Sequence, residues 1–219
     1  MTKKESQLMV GIPLVQLITP SMLKDAQEVL DWVQNFISQP HPSLGREGPI
    51  CPFVCPSIKR NTFYMTFHYE VDGNREVIIY LMRCYRDVFL RCFSSTSESL
   101  YNSLLVVFPN IREEDAPVVD EVARETKTGF VQRGLMIGEF HPRSRIAAAR
   151  NPEFHPMVAP FPMLAIRNMA VHDILFLNQK KSWFAEFNAR FGQLYQGNKV
   201  SNKDGLVDLY NATKERYSV

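Results

Sequence analysis

The run Ser103-Leu104-Leu105-Val106-Val107-Phe108-Pro109 is continuously apolar, β-branched at its centre and closed by a proline. A strand of this kind is covered on both faces and belongs in the middle of a sheet. Just upstream, residues 75–93 place apolar side chains at 78, 81, 82, 85, 88, 89 and 92, which is a helical period. Further back, residues 62–70 alternate, with Phe63, Met65 and Phe67 on one side and Tyr64, Thr66 and His68 on the other, polar side. That pattern predicts a half-buried strand, turned by Asp72-Gly73. Downstream of the central run, Asp115 opens a second helix that carries Pro117 in its first turn and ends before Gly134. Two more apolar strands are expected over residues 135–140 and 161–169.

The outer parts of the chain are helical. Residues 22–37 repeat apolar side chains at helical spacing, with Ser21 placed to cap the start and Pro40 and Pro42 to end it. Residues 38–60 then carry seven prolines and glycines and read as one long packed loop. Helices are expected over residues 182–195, faced by Trp183, Phe184, Phe187 and Phe191, and over 206–217; His172-Asp173 reads as a helix start. The predicted fold is a single α+β domain over residues 21–219, preceded by an extension over residues 1–20. Its mixed sheet has about four strands in β-α-β-α-β-β order, with right-handed crossovers and two C-terminal helices.

Bulk properties narrow the function. The 219 residues are 45% hydrophobic and 22% charged, with a net charge of +2. A chain of this size buries about 70% of its unfolded surface, so it needs no metal or disulfide to fold. Basic residues form no block that would mark a nucleic-acid footprint, and no stretch is apolar enough to span a membrane. Lys3-Lys4 precedes no long apolar run, so a soluble cytoplasmic protein is expected. Cys51, Cys55, Cys84 and Cys92 are then expected to be thiols, the last two as small core residues on one side of a buried helix.

Phosphate loops, the Gly-x-Ser-x-Gly elbow, His-Glu-x-x-His and paired Cys-x-x-Cys motifs are all missing. Two loops carry the remaining chemistry. In Gly45-Arg46-Glu47-Gly48-Pro49-Ile50-Cys51-Pro52-Phe53-Val54-Cys55-Pro56, the prolines fix the backbone beside each thiol. A thiolate so held ligates a soft metal or haem iron, or attacks as a nucleophile; the plain alternative is a buried cysteine in a braced loop. In Gly134-Leu135-Met136-Ile137-Gly138-Glu139-Phe140-His141-Pro142, a histidine stands at the exit of an apolar strand, either as a ligand aimed into a cleft or as a satisfied structural residue. His155 repeats the Phe-His-Pro pattern and is a rival ligand. Arg46, Arg143, Arg145 and Arg150 are the candidate carboxylate anchors, and Glu139 and Asp173 the carboxylates best placed for acid–base work.

These motifs, with Asn151-Pro152-x-Phe154 and Phe161-Pro162-x-Leu164-Ala165-Ile166-Arg167, resemble an uncharacterised bacterial domain family often encoded beside specialised-metabolite biosynthesis genes. The resemblance covers about residues 22–180. More distantly, Cys51-Pro52-Phe53 and Phe140-His141-Pro142-x-Ser144-Arg145 are similar to the YcgG-like proteins, which include haem-dependent enzymes that hydroxylate the guanidine nitrogen of arginine. That resemblance implies a haem b oxidoreductase acting on an amine or amino-acid-like metabolite. Its iron would be ligated by His141 or Cys51, Phe53, Arg143 and Arg145 would line the cofactor pocket, and Arg46 and Arg150 would hold the substrate. Glu139 and Arg145 are the expected catalytic residues, and an electron donor the expected partner. A zinc or non-haem iron site built from Cys51, Cys55, His141 and His155 is the second expectation, and a non-catalytic accessory or binding protein, with a homodimer considered, the third. A site shared by the two loops requires Cys51 and His141 to meet, and that contact is the sharpest structural expectation.

Overall fold

In the computed structural model, residues 19–93, 99–202 and 204–218 are described; the predicted extension falls almost wholly on residues 1–18, outside them. The elements run α1 (Pro20–Trp32), α2 (Val54–Lys59), β1 (Phe63–Phe67), α3 (Arg75–Phe93), β2 (Ser103–Val107), α4 (Val118–Val131), β3 (Leu135–Phe140), β4 (Met163–Asn168), α5 (Ile174–Leu177), α6 (Lys181–Gln196) and α7 (Leu206–Tyr217). This is the α+β domain expected, with a four-stranded mixed sheet and two closing helices. Among the described residues no helix is long and apolar enough to cross a membrane.

The strands lie in the order β1-β2-β4-β3. β1 and β2 are parallel, and β4 is antiparallel to both its neighbours, β2 and β3. β3 therefore points the same way as β1 and β2, and the C-terminal ends of all three meet one rim of the sheet. Rims of this type are where open α/β sheets place ligands, because loops there radiate from rigid strands.

Alternation sorts side chains to two faces. Leu104, Val106, Leu164, Ile166, Leu135 and Ile137 point towards α3 and α4 and join Ile78, Met82, Phe89, Val122 and Phe130 in the main core. The opposite face presents Phe67, Leu105, Val107 and Met163 to Val29 of α1, to Val33 and Ile37 of the helical turn that follows α1 over Val33–Ile37, and to Val54 at the start of α2. A third cluster packs α5, α6 and α7 around Phe184, Phe187 and Tyr210.

Four details differ from the sequence expectations. The cap of α1 is Thr19, whose hydroxyl accepts from the Met22 amide at 3.2 Å; Pro20 follows it as the first helical residue, a position where no amide donor is needed. The loop over residues 38–60 contains α2, because Pro56 falls within the helix's first turn, where proline is tolerated. His68 is 1% exposed rather than on a polar face. It lies just past β1, and its ring bonds Tyr85 Oη at 2.7 Å and Glu70 Oε1 at 2.5 Å, so both nitrogens are satisfied. Cys84 is half-buried and Cys92 exposed, since eight helical residues leave the two about 80° apart around the axis.

Candidate functional site

Gly134, held at a φ of 75°, lets the chain leave α4 and enter β3 without a side-chain clash. At the other end of β3, the His141 amide donates to Met157 O at 3.2 Å, and the His141 carbonyl accepts from Ala159 N at 3.3 Å and Ser144 N at 3.1 Å. The backbone at this position is fixed on both sides. The ring is 1% exposed, and its Nε2 lies 3.1 Å from Oδ2 of Asp120, in the first turn of α4. His141 Nδ1 and Asp120 Oδ1 are buried and have no hydrogen-bond partner. Beside the pair is a cleft of about 380 Å³ lined by Glu114, Pro117, Asp120, His141, Arg143 and Arg145. Arg143 and Arg145 are exposed at its mouth.

Glu139 precedes His141 by two positions and points to the same helix as Ile137, by strand alternation. Burial, reinforced by the Asp120 charge, pushes its carboxyl up to about 7, against the opposing pull of Lys127 and Arg124. Lys127 is itself shifted down by burial. Its ammonium donates to Phe176 O at 3.2 Å and rests 4.5 Å from the centre of the Trp183 ring.

Cys51 is elsewhere. Its amide donates to Ile37 O at 2.9 Å, and its side chain packs with the α1-facing cluster, together with Trp32, Ile50, Phe140, Phe161 and Ala165. Phe140 and His141 are consecutive, so their side chains leave the strand in opposite directions. Phe140 turns to Trp32, with ring centres 5.4 Å apart, while His141 turns to α4. The sheet lies between Cys51 and His141, and the expected shared site is not formed. Phe53 stacks under the Arg167 guanidinium at 4.5 Å, and Arg167 grips the buried Asp173 carboxylate through two bonds of 2.7 and 2.5 Å. Asp173 is thus a structural anion rather than a proton-transfer group.

The other candidates are dispersed. Arg46 donates to the carbonyls of Glu47 and Ile50 and braces its own loop. Arg150 reaches Asp204, bonding its carbonyl at 2.6 Å and its carboxylate at 3.3 Å. The Cys55 thiol lies 3.8 Å from Ser38 O. His155 follows Phe154, which stacks on His41 at 4.3 Å and belongs to the packing between two loops. Among the described residues no three His, Cys, Asp or Glu side chains gather closely enough to hold a metal ion. His141 does not fit an axial haem ligand in this arrangement: one ring nitrogen is held by Asp120, the other is enclosed, and the adjoining walls are charged. The surroundings of Cys51 are half-exposed and mostly apolar, with the charge of the Arg167 guanidinium nearby.

Asp120 was not legible as a site residue. In sequence it is one more acid in a helix's first turn, a common placement beside the helix dipole. Its partner is 21 positions away, and only the return of β3 alongside α4 brings them together.

No curated protein matches this chain, and no solved structure does. Residues 26–202 match the family model described as Domain of unknown function (DUF6875). That span contains β1 to β4, the cleft, Asp120, His141 and both motif loops, and it leaves out α7. The chain belongs to the DUF6875 domain family.

Proposed function

We propose that this protein is an enzyme that moves a proton on a small, carboxylate-bearing amine or amino-acid-like metabolite, bound at the rim where β3 ends. The observation that carries this reading is the contact of buried His141 with half-buried Asp120 beside a cleft flanked by Arg143 and Arg145. Asp120 holds the imidazole at Nε2 while Nδ1 is enclosed, so the part-exposed Asp120 carboxylate is the member of the pair that meets substrate. A proton taken there is shared with Nε2 of His141. Arg143 and Arg145 supply planar donors for the substrate's carboxylate.

The test is a thermal-shift and calorimetric screen of amino acids, amines and simple carboxylates on the full chain. A carboxylate ligand should stabilise the protein, and Arg143→Ala with Arg145→Ala should abolish the shift. His141→Asn should bind the same ligand while losing turnover. A screen in which no carboxylate binds, or in which the arginine variants bind unchanged, rejects the reading; turnover that survives His141→Asn rejects the catalytic role and leaves a binding protein.

Haem-dependent N-oxygenation of the same class of metabolite, which the resemblance implies, is the competing reading. It is favoured by the half-exposed apolar surface around Cys51, with Trp32, Phe53, Phe140 and Ala165. A bound haem would supply oxygen activation there. A Soret band that appears on hemin addition and is lost in Cys51→Ala would establish it in place of the proton-transfer reading.

A further inference from the structure

The cleft beside Asp120 continues past the N-terminal tip of α4. A second cleft of about 560 Å³ lies on the far side of that tip, and Glu114 and Pro117 line both, so the two form one groove. It crosses the rim in strand order: Asp72 follows β1, Glu114 and Pro117 follow β2, and Arg143 and Arg145 follow β3. Its two ends differ in charge. Arg143 and Arg145 are exposed, and neither pairs with a described residue. At the other end Arg112 pairs with Glu114 and Asp115, and Arg75 with Glu121, but Asp72 is exposed and pairs with no described residue. Between the ends the wall is apolar, at Pro117 and Val118. Beside the arginines, Asp120 Oδ1 and the Nδ1 of His141, itself 1% exposed, lack partners. In a packed core such atoms are paired, so this stretch of wall is built as a site.

We infer that the groove takes an extended dipolar ligand: an amino acid whose cationic group stands at the far end of a methylene chain from its carboxylate. This rests on the proposed reading of the cleft and adds the class of substrate. The carboxylate sits on Arg143 and Arg145, whose planar donors match it, and so lies beside Asp120 and His141. The methylenes pass over Pro117 and Val118, and the ammonium reaches Asp72. In the order β1-β2-β4-β3, β1 and β3 are three strand spacings apart, roughly 14 Å. The Asp72 and arginine side chains shorten that span from both ends, and a linker of several carbons bridges the rest. An amino acid whose two charges flank one carbon is too short to use both ends. The reversed orientation sets ammonium against the arginines and carboxylate against Asp72, and like charges reject it.

Calorimetric titration of the full chain with hexanoate, ω-aminohexanoate, propanoate and ω-aminopropanoate tests this. The long amino acid should bind about fivefold more tightly than hexanoate, the upper range for one exposed ion pair. In Asp72→Asn that advantage should be lost while hexanoate binds as before; Asp72 lies in an exposed loop whose backbone asparagine also adopts. On the short acid the added amine should gain nothing, because it cannot pass Pro117. The inference is overturned if hexanoate and its amine bind alike, if the amine's advantage survives Asp72→Asn, or if the short amine gains as much as the long one. Carboxylates held by the arginines with no preference for the amine reject this inference alone. Binding by no carboxylate rejects the proposed activity and this inference with it.

Discussion

On the α3 and α4 side of the sheet, Leu104, Val106, Leu164 and Ile166 are at most 7% exposed. On the α1 side, Met65, Ala165, Phe140 and the covering Cys51 stay half-exposed. Two helices of 19 and 14 residues close the first face, and one helix with a braced loop partly covers the second. The closed face carries stability; its polar groups are the His68–Tyr85 pair beside α3, Thr126 bonded within α4, and Asp120, Glu139 and His141 at the rim. The open face has apolar surface to spare and holds the Cys-Pro-Phe loop through a cation stacked on Phe53. Each motif loop thus belongs to a different face and a different physical environment.

Core truncation gives the largest contrast. Phe130→Ala on the closed face should cost about 3–5 kcal/mol, and Phe161→Ala on the open face about 1–2 kcal/mol, in urea unfolding. Equal losses would show that the α1 face is as tightly packed as the other. Next in size, Arg167→Met strands the Asp173 carboxylate in a buried position and should cost about 3 kcal/mol. Its effect should also reach the open face, releasing Phe53 and raising the alkylation rate of Cys51; an unchanged rate would separate the clamp from the loop.

At the rim, Asp120→Ala leaves His141 buried with neither nitrogen paired, a loss of about 1–3 kcal/mol. A smaller effect depends on pH. Glu139 holds its proton more tightly folded, up to about 7, than at its ordinary 4.5. The stability it adds is therefore complete below about 4.5 and is lost as pH rises through about 7. Relative to Glu139→Gln, the parent should become less stable across that window, and parallel pH curves would contradict it. The smallest contrast is in thiol labelling, where exposed Cys92 should react before Cys51, Cys55 and Cys84.

Local pattern was enough to find every strand and the five longest helices, because periodicity and Pro/Gly punctuation are written in adjacent residues. It did not reveal α2, whose six residues sit in a segment dominated by prolines. The position of β4 between β2 and β3 was equally hidden, since pairing depends on side chains far apart in the chain. At the site, strand-exit placement singled out His141 correctly as a rim residue. That Cys51 lies behind the sheet follows from the parity of Phe140 and His141, and from α1 covering only one face. Arg46 and Arg150 looked free because their partners are backbone carbonyls and Asp204, which composition does not display.

The antiparallel insertion of β4 also orders events during synthesis. Among the described residues β3 pairs with no strand but β4, and β4 reaches its last residue only at Asn168. While the chain emerges from the ribosome, β1 and β2 can pair early, but β3 must wait without a neighbour through residues 141–162. The rim that holds His141 is thus completed late, after the scaffold meant to carry it already exists.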